Sequence, residues 1–117
     1  MPETAPLDPE DAKIATLARS ALARTGAAEG AAVRDTDGRT YSGATVSLDS
    51  LALTALQAAI AAAVASGATG VEAAAVASES GEVDAPSLAA VRELGPAAPV
   101  LVLDQRGELS DVLHPAG

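Results

Sequence analysis

Roughly a quarter of this 117-residue chain is alanine, phenylalanine and tryptophan are absent, and Tyr41 is the sole aromatic residue. Alanine usage this high is unusual, and each alanine buries little surface. A core must therefore come from Leu, Ile and Val, and from bringing small residues and backbone into close approach. A chain of this length makes one domain that buries roughly two thirds of its unfolded surface. An apolar fraction of 49% and a charged fraction of 20% belong to a globular protein rather than a disordered one. Modest stability as a monomer is expected, with subunit contacts adding burial.

The charge balance excludes several classes of partner. Seven basic against sixteen acidic residues give a net charge of −9. Nucleic-acid binding needs clustered Lys and Arg, usually with stacking aromatics, and neither is present. One lysine and scattered arginines make no polybasic membrane patch. The acidic, Pro-rich opening is the opposite of a signal peptide, and residues 1–7 read as a disordered leader to a single domain over 8–117. Leu51 to Val64 is apolar, yet too short and too alanine-rich for a membrane span. The expected location is cytoplasmic. With no cysteine, disulfides, thiol nucleophiles and thiolate-bound metals are all ruled out.

Local signals then order the chain. Asp8-Pro9-Glu10-Asp11 starts a helix, with an Asp cap, proline in the first turn and acids at the positive helix end. Ile14, Leu17, Ala18, Ala21 and Leu22 continue it to about Ala23, and Thr25-Gly26 stops it. Gly30 to Arg34 and Thr40 to Val46 flank an Asp-Gly turn and read as a hairpin. Ser47 or Asp49 can cap a second helix, with Leu53, Leu56, Ile60 and Val64 as one stripe and alanines elsewhere, so burial nearly all round is expected. Val71 to Ala77 reads as a buried strand. Asp84-Ala-Pro-Ser87 starts a third helix carrying Leu88, Val91 and Leu94, which Gly95-Pro96 ends. Pro99 to Leu103 and Glu108 to Leu113 are the last strands. The order α-β-β-α-β-α-β-β predicts an α/β fold with one mixed sheet and helices packed on its faces.

Three segments carry a family likeness: Ala31 to Gly43, Leu51 to Ile60 ending in Ala58-Ala59-Ile60, and Leu94-Gly-Pro-Ala-Ala-Pro-Val100. Through them the chain resembles the cytidine deaminase family of small zinc-dependent nucleoside deaminases. Ala31 to Gly43 is similar to the family's first hairpin. Leu51 to Ile60 resembles the helix bearing the motif (C/H)-A-E-R-A-A-I, and Leu94 to Val100 resembles the stretch after P-C-x-x-C. The likeness spans most of residues 8–115. It implies a three-layer sandwich, one mixed five-stranded sheet with helices on both faces.

The motifs themselves are missing. In the family, a Cys or His and two further Cys hold zinc, the metal activates water, and a glutamate shuttles protons. The resemblance places Thr54 at the first ligand and Leu56 at the glutamate. It places Asp84 and Ser87 at the two thiolates. Thr and Ser are poor zinc ligands, one Asp makes no tight site, and leucine transfers no proton. These four residues are therefore expected to be degenerate family positions with structural roles: Asp84 as a helix cap, Ser87 at the third helical position, and Leu56 filling space left by substrate and water. The loop that holds ribose in the family reads here near Thr45 and Ser47, and is shortened.

No second site emerges from the remaining residues. His114 could join Asp84 and Asp49 around a metal only by assembling unplaced ligands, and it reads as a solvated tail residue. Serines 47, 50, 78, 80 and 87 have no histidine at triad spacing. Gly67 to Gly70 lacks the lysine of a phosphate loop. Glu72, Glu79, Glu82 and Asp84 read as a solvated acidic stretch. The expectation is a cytidine-deaminase-like protein without catalytic residues, metal or cofactor, serving as a structural or protein-interaction module. A homodimer or homotetramer is expected, with an unidentified protein as a further partner. A family aromatic C-terminus is replaced by Leu113-His-Pro-Ala-Gly117, which alters the interface that the resemblance implies. The alternatives are a nucleoside-sensing module, against which the lack of stacking aromatics counts, and a deaminase using a non-standard site.

Overall fold

The computed structural model describes residues 7–115. Helix α1 (Pro9–Thr25) begins where Asp8 accepts the amide of Asp11 at 2.9 Å. It ends at Gly26, whose left-handed backbone lets its N–H reach the carbonyl of Leu22. Strands β1 (Glu29–Asp35) and β2 (Thr40–Ala44) pair antiparallel, with Val33 opposite Tyr41. Asp35 organises their turn. One carboxylate oxygen accepts the amides of Asp37 and Arg39, each at 2.9 Å, and the other accepts the Tyr41 hydroxyl at 2.9 Å.

The chain then departs from the sequence reading. Residues 46–53 are not the start of a helix but a short ribbon, β3 (Val46–Ser47) paired with β4 (Ala52–Leu53). Ser47 and Asp49 cap nothing. The cap is Thr54, because Thr54-Ala-Leu-Gln57 forms a reciprocal capping box: the Thr54 hydroxyl accepts the Gln57 amide and the Gln57 side chain accepts the Thr54 amide. Helix α2 (Ala55–Ala65) is accordingly shorter than expected. Leu53 lies outside it. Val64 is half exposed, so burial nearly all round is also corrected: sheet and α3 cover one flank, leaving Ala61, Val64 and Ala65 outward.

Strand β5 (Val71–Ser78), helix α3 (Ala85–Leu94), strand β6 (Val100–Leu103) and strand β7 (Leu109–Leu113) complete the fold. The main sheet runs β2-β1-β5-β6-β7; only β5 and β6 are parallel, joined through α3 as a crossover. This is the α/β order expected, with the ribbon added. Residues 1–6 of the expected leader lie outside the described residues. Leu7 packs against the α1 side of the sheet.

Alternation along the strands divides the core into two layers. Ala32, Ala73, Ala75, Leu101 and Leu103 meet Ile14, Ala15 and Ala18 of α1. On the opposite face Val33, Val76 and Val100 meet Leu56, Ala59 and Ile60 of α2 and Val91 of α3. Arg34 points toward α1, where it is largely buried and pairs with Asp11 at 3.1 Å and with Glu72 of β5. Two glycines set how near the helices come. A Cβ at Gly30 would strike the carbonyl of Ala18 and the amide of Leu22, and one at Gly43 would lie 2.6 Å from the amide of Ala59.

Gly30→Ala is therefore expected to destabilise by about 1–3 kcal/mol, since only helix movement relieves the overlap. Thermal unfolding should show it, whereas exposed Val64→Ser should stay within about 0.5 kcal/mol of wild type. A second expectation concerns acid. Burial pushes the Asp35 carboxyl up, but the Arg39 amide, the Tyr41 hydroxyl and the Asp37 amide together hold it below the ordinary carboxylate value. A depressed folded pKa contributes stability above the unfolded value of about 3.9, lost as pH falls through the lower folded value. Tyr41→Phe should thus destabilise at neutral pH, and its deficit against wild type should shrink under acid in denaturant titrations. A deficit independent of pH would remove the Asp35 carboxylate from the explanation.

Candidate functional site

The N-termini of α2 and α3 open toward the same place, beside the start of β1, the end of β2 and the end of β5. Glu29 and Ser78 are partners across β1 and β5. Thr45 accepts the Glu29 amide on its hydroxyl at 3.0 Å, and its own amide reaches the Glu29 carbonyl. Between these strand ends and the β3–β4 ribbon lies a cleft of about 890 Å³. Such a place, outside the carboxyl end of a parallel strand and at helix N-termini, is where open α/β sheets bind ligands.

Three of the four residues singled out in the sequence meet here. Asp84 caps α3 by accepting the Ser87 amide at 2.9 Å. The buried Ser87 hydroxyl donates across to the Thr54 hydroxyl oxygen at 2.8 Å. Thr54 also accepts the Gln57 amide at 3.1 Å. A continuous run of hydrogen bonds from Asp84 to Gln57 thus ties the first turn of α3 to the first turn of α2. The expected roles of Asp84 as cap and Ser87 at the third helical position match this geometry.

Leu56 is placed differently. It is fully buried and packs in the cluster between α2, α3 and the sheet, and it is not part of the cleft wall. The expectation that Leu56 would fill substrate space is corrected to this extent: its side chain turns into the core two residues beyond Thr54, and the cleft stays open beside it. His114 follows β7 and is exposed, while Asp49 sits in the exposed turn of the ribbon. Among the described residues no three His, Asp or Glu side chains group so as to hold a metal.

Several cleft residues escaped the sequence reading. Gln57 was legible, because Thr-x-x-Gln is a capping-box spacing. Glu29 was not, for it belongs to no motif. Its carboxyl is pushed up by burial, drawn down by the amide of Ala55 at the α2 N-terminus, and pushed up again by the charge of Asp84; the net direction is upward. Glu79, assigned to a solvated acidic stretch, forms part of the same wall.

The oxygens of Thr54, Ser87 and Asp84 do not fit a zinc ion. Two are neutral hydroxyls bonded to one another, and the carboxylate is engaged as a helix cap. Every buried side-chain N and O among the described residues has a hydrogen-bond partner, so none is left waiting for a metal.

Comparison with known proteins settles the family. A model of the family described as cytidine deaminase-like matches residues 7–107. The chain belongs to the cytidine deaminase-like family. Solved structures agree. Cytidine deaminase from Burkholderia pseudomallei superposes with a TM-score of 0.71 at 25% identity, covering 87% of this chain and 90% of that one. Cytidine deaminase from Mycobacterium tuberculosis gives 0.65 at 26% identity, over 81% and 85% of the two chains. The Mycobacterium leprae enzyme gives 0.67 at 22% identity, over 84% and 89%, a likeness of fold. No curated protein sequence matches. Among the described residues no helix is long and apolar enough to cross a membrane.

The link between the helices is open to a double-mutant cycle. Thr54→Val removes a cap and should cost about 0.5–2 kcal/mol; Ser87→Ala should cost about 0.5–1.5 kcal/mol. The two should be coupled, the double variant losing less than the sum by roughly 0.5 kcal/mol or more in urea unfolding. Strict additivity would mean that the two hydroxyls do not bond.

Proposed function

We propose that this chain is a deaminase-fold protein without deaminase chemistry, with Thr54, Leu56, Asp84 and Ser87 standing at degenerate family positions. It acts in the cytoplasm as a structural or protein-interaction module and self-associates as a dimer or tetramer. The observation that carries this reading is the Thr54–Ser87 hydrogen bond: hydroxyls joined at 2.8 Å lie at the meeting point of two helix N-termini, where the resemblance puts metal ligands in family members. Leu56 adds to it. A hydrocarbon buried in the core can neither take a proton from water nor give one to a pyrimidine ring. Self-association is suggested by the paucity of large core residues and by the outward Leu48, Leu51 and Val64.

A second reading, a nucleoside-sensing module without chemistry, is favoured by the cleft itself, which stays open beside the linked helices. Elemental analysis of purified protein, with an ultraviolet assay for cytidine and deoxycytidine deamination, tests the first reading. Near-zero zinc and no turnover are expected. Stoichiometric zinc with turnover would overturn it. Thermal-shift measurements with cytidine, deoxycytidine and uridine separate the two readings, since a ligand that binds only the native state raises the unfolding temperature. No rise is expected for a structural or interaction module, and a concentration-dependent rise would favour the sensor.

A further inference from the structure

Two strands of the sheet, β2 and β7, have no outer neighbour among the described residues. Self-pairing of β7 would set the exposed Asp111 against its own copy in a chain of net charge −9, and like charges facing across strands destabilise a sheet. β2 has no such safeguard. Between Arg39 and Glu72 the sole charged residue is Asp49, so β2 and α2 are both free of charge. β2 also lacks the proline, lysine or bulge that blunts an edge strand. The ladder fixes which of its backbone groups face outward. The Asp35 amide donates to the Arg39 carbonyl, and the Thr45 amide donates to the Glu29 carbonyl. Tyr41 and Gly43 therefore bond back to β1, while Thr40, Ser42 and Ala44 turn their N–H and C=O outward. Helix α2 lies over β1 and β2. A Cβ at Gly43 would stand 2.8 Å from that of Ala58, so Ala58 marks the flank of α2 nearest β2. Ala61, Ala62 and Ala65 continue this flank at helical spacing, with Ala61 and Ala65 exposed.

We infer that β2 is the seam of a two-fold dimer, where it pairs antiparallel with β2 of a second copy and joins the two sheets into one. Centred on Ser42, this pairing sets Ser42 opposite its counterpart and Thr40 opposite Ala44 of the second copy. All three outward positions then exchange hydrogen bonds, about six in all. The side chains that meet are small and neutral. The helices fit the same two-fold operation. With α2 seated over β1 and β2, its axis and that of the second copy stand two strand spacings apart, roughly 9–10 Å. Helices pack at about 8–10 Å, the nearer value where the residues in contact are small. Alanines at 58, 61, 62 and 65 permit that approach and bring no charge to it. A second copy is the occupant this surface fits, because a two-fold axis matches a neutral surface to itself. A basic partner would be drawn to the acids elsewhere on the chain, and nothing on this edge would hold it. The inference rests on the self-association proposed above and names the surface that performs it.

Sedimentation velocity of the intact chain, with variants on and off the seam, tests the inference. A concentration-dependent dimer is expected, or a tetramer that Ser42→Asp reduces to dimers. Ser42→Asp sets two like charges face to face and should weaken the contact by roughly ten-fold or more, and Ala65→Lys on the α2 flank should do likewise. Ser42 and Ala65 are exposed in the single chain, so the circular dichroism of both variants should be native. Gln105→Glu adds a charge of the same sign as Ser42→Asp in the exposed turn before β7 and should leave affinity within about two-fold. The chain has no cysteine, so Ser42→Cys and Gln105→Cys each introduce a lone thiol. Mild oxidation should link copies of the Ser42→Cys variant alone, since paired Cα atoms across such a seam lie about 5.5 Å apart, within disulfide reach. A chain that stays monomeric would overturn both this inference and the self-association beneath it. An oligomer that withstands Ser42→Asp and Ala65→Lys, or that Gln105→Glu weakens equally, would overturn this inference alone and assign self-association to another surface.

Discussion

Helix α1 rests on the backbone of β1 at Gly30, and α2 rests on β2 at Gly43, with nothing but hydrogen between helix and strand at either place. These two approaches set the thickness of the whole domain. Once they are made, alanines at 32, 73 and 75 suffice to fill the α1 layer around Ile14, and the alanine-rich strands become adequate core elements. An isolated alanine contributes little by area, but an alanine pressed against a helix backbone closes a contact that a larger side chain would hold apart. The sheet can lack phenylalanine and tryptophan because its layers need no wide space filled.

The same close packing brings the N-termini of α2 and α3 together and leaves their first-turn amides to be satisfied. Thr54 and Asp84 cap them, and the Ser87 hydroxyl crosses between them. In a zinc-dependent relative a metal would link these two turns. Here the Ser87 and Thr54 hydroxyls link them through one hydrogen bond. Leu56 then belongs to the hydrophobic cluster rather than to the cleft. The consequence is an open cleft beside the linked helix turns, with Glu29, Glu79 and Asp84 among the residues that line it. The fold is shared with cytidine deaminases; the chemistry available at this location is a separate matter.

The main helices and the strands of the five-stranded sheet were legible because each carries its own local signal: Asp8-Pro9 and Asp84-Ala-Pro before helices, Asp-Gly between β1 and β2, and the alternating Val and Leu run at β6. Residues 46–53 were misread because Leu53 falls in helical register with Leu56 and Ile60 yet equally suits a short strand, and the hydrophobic pattern alone does not choose. The capping box at Thr54 chose. Its signal, Thr followed three residues later by Gln, was present in the chain and was outweighed by the apolar spacing around it. Around the cleft, Asp84 was legible from its helix-start signal, and Thr54 and Ser87 only through a family likeness. Glu29 was invisible, because a carboxylate at a strand start has no meaning until another element supplies its neighbours.

What this sequence determined by itself was negative and local. Without cysteine there is no thiolate metal site, few and scattered lysines and arginines argue against a polyanion surface, and helix caps and turn residues place the elements in order. These follow from which groups exist and from interactions between residues a few positions apart. Only the tertiary structure decided that the Ser87 hydroxyl meets that of Thr54 33 positions away, that the cleft stays open beside Leu56, and that Glu29, Glu79 and Asp84 share one wall. Those are long-range juxtapositions. They depend on how β1, β5 and the two helices pack, and the packing is set by steric contact between surfaces that no single segment contains.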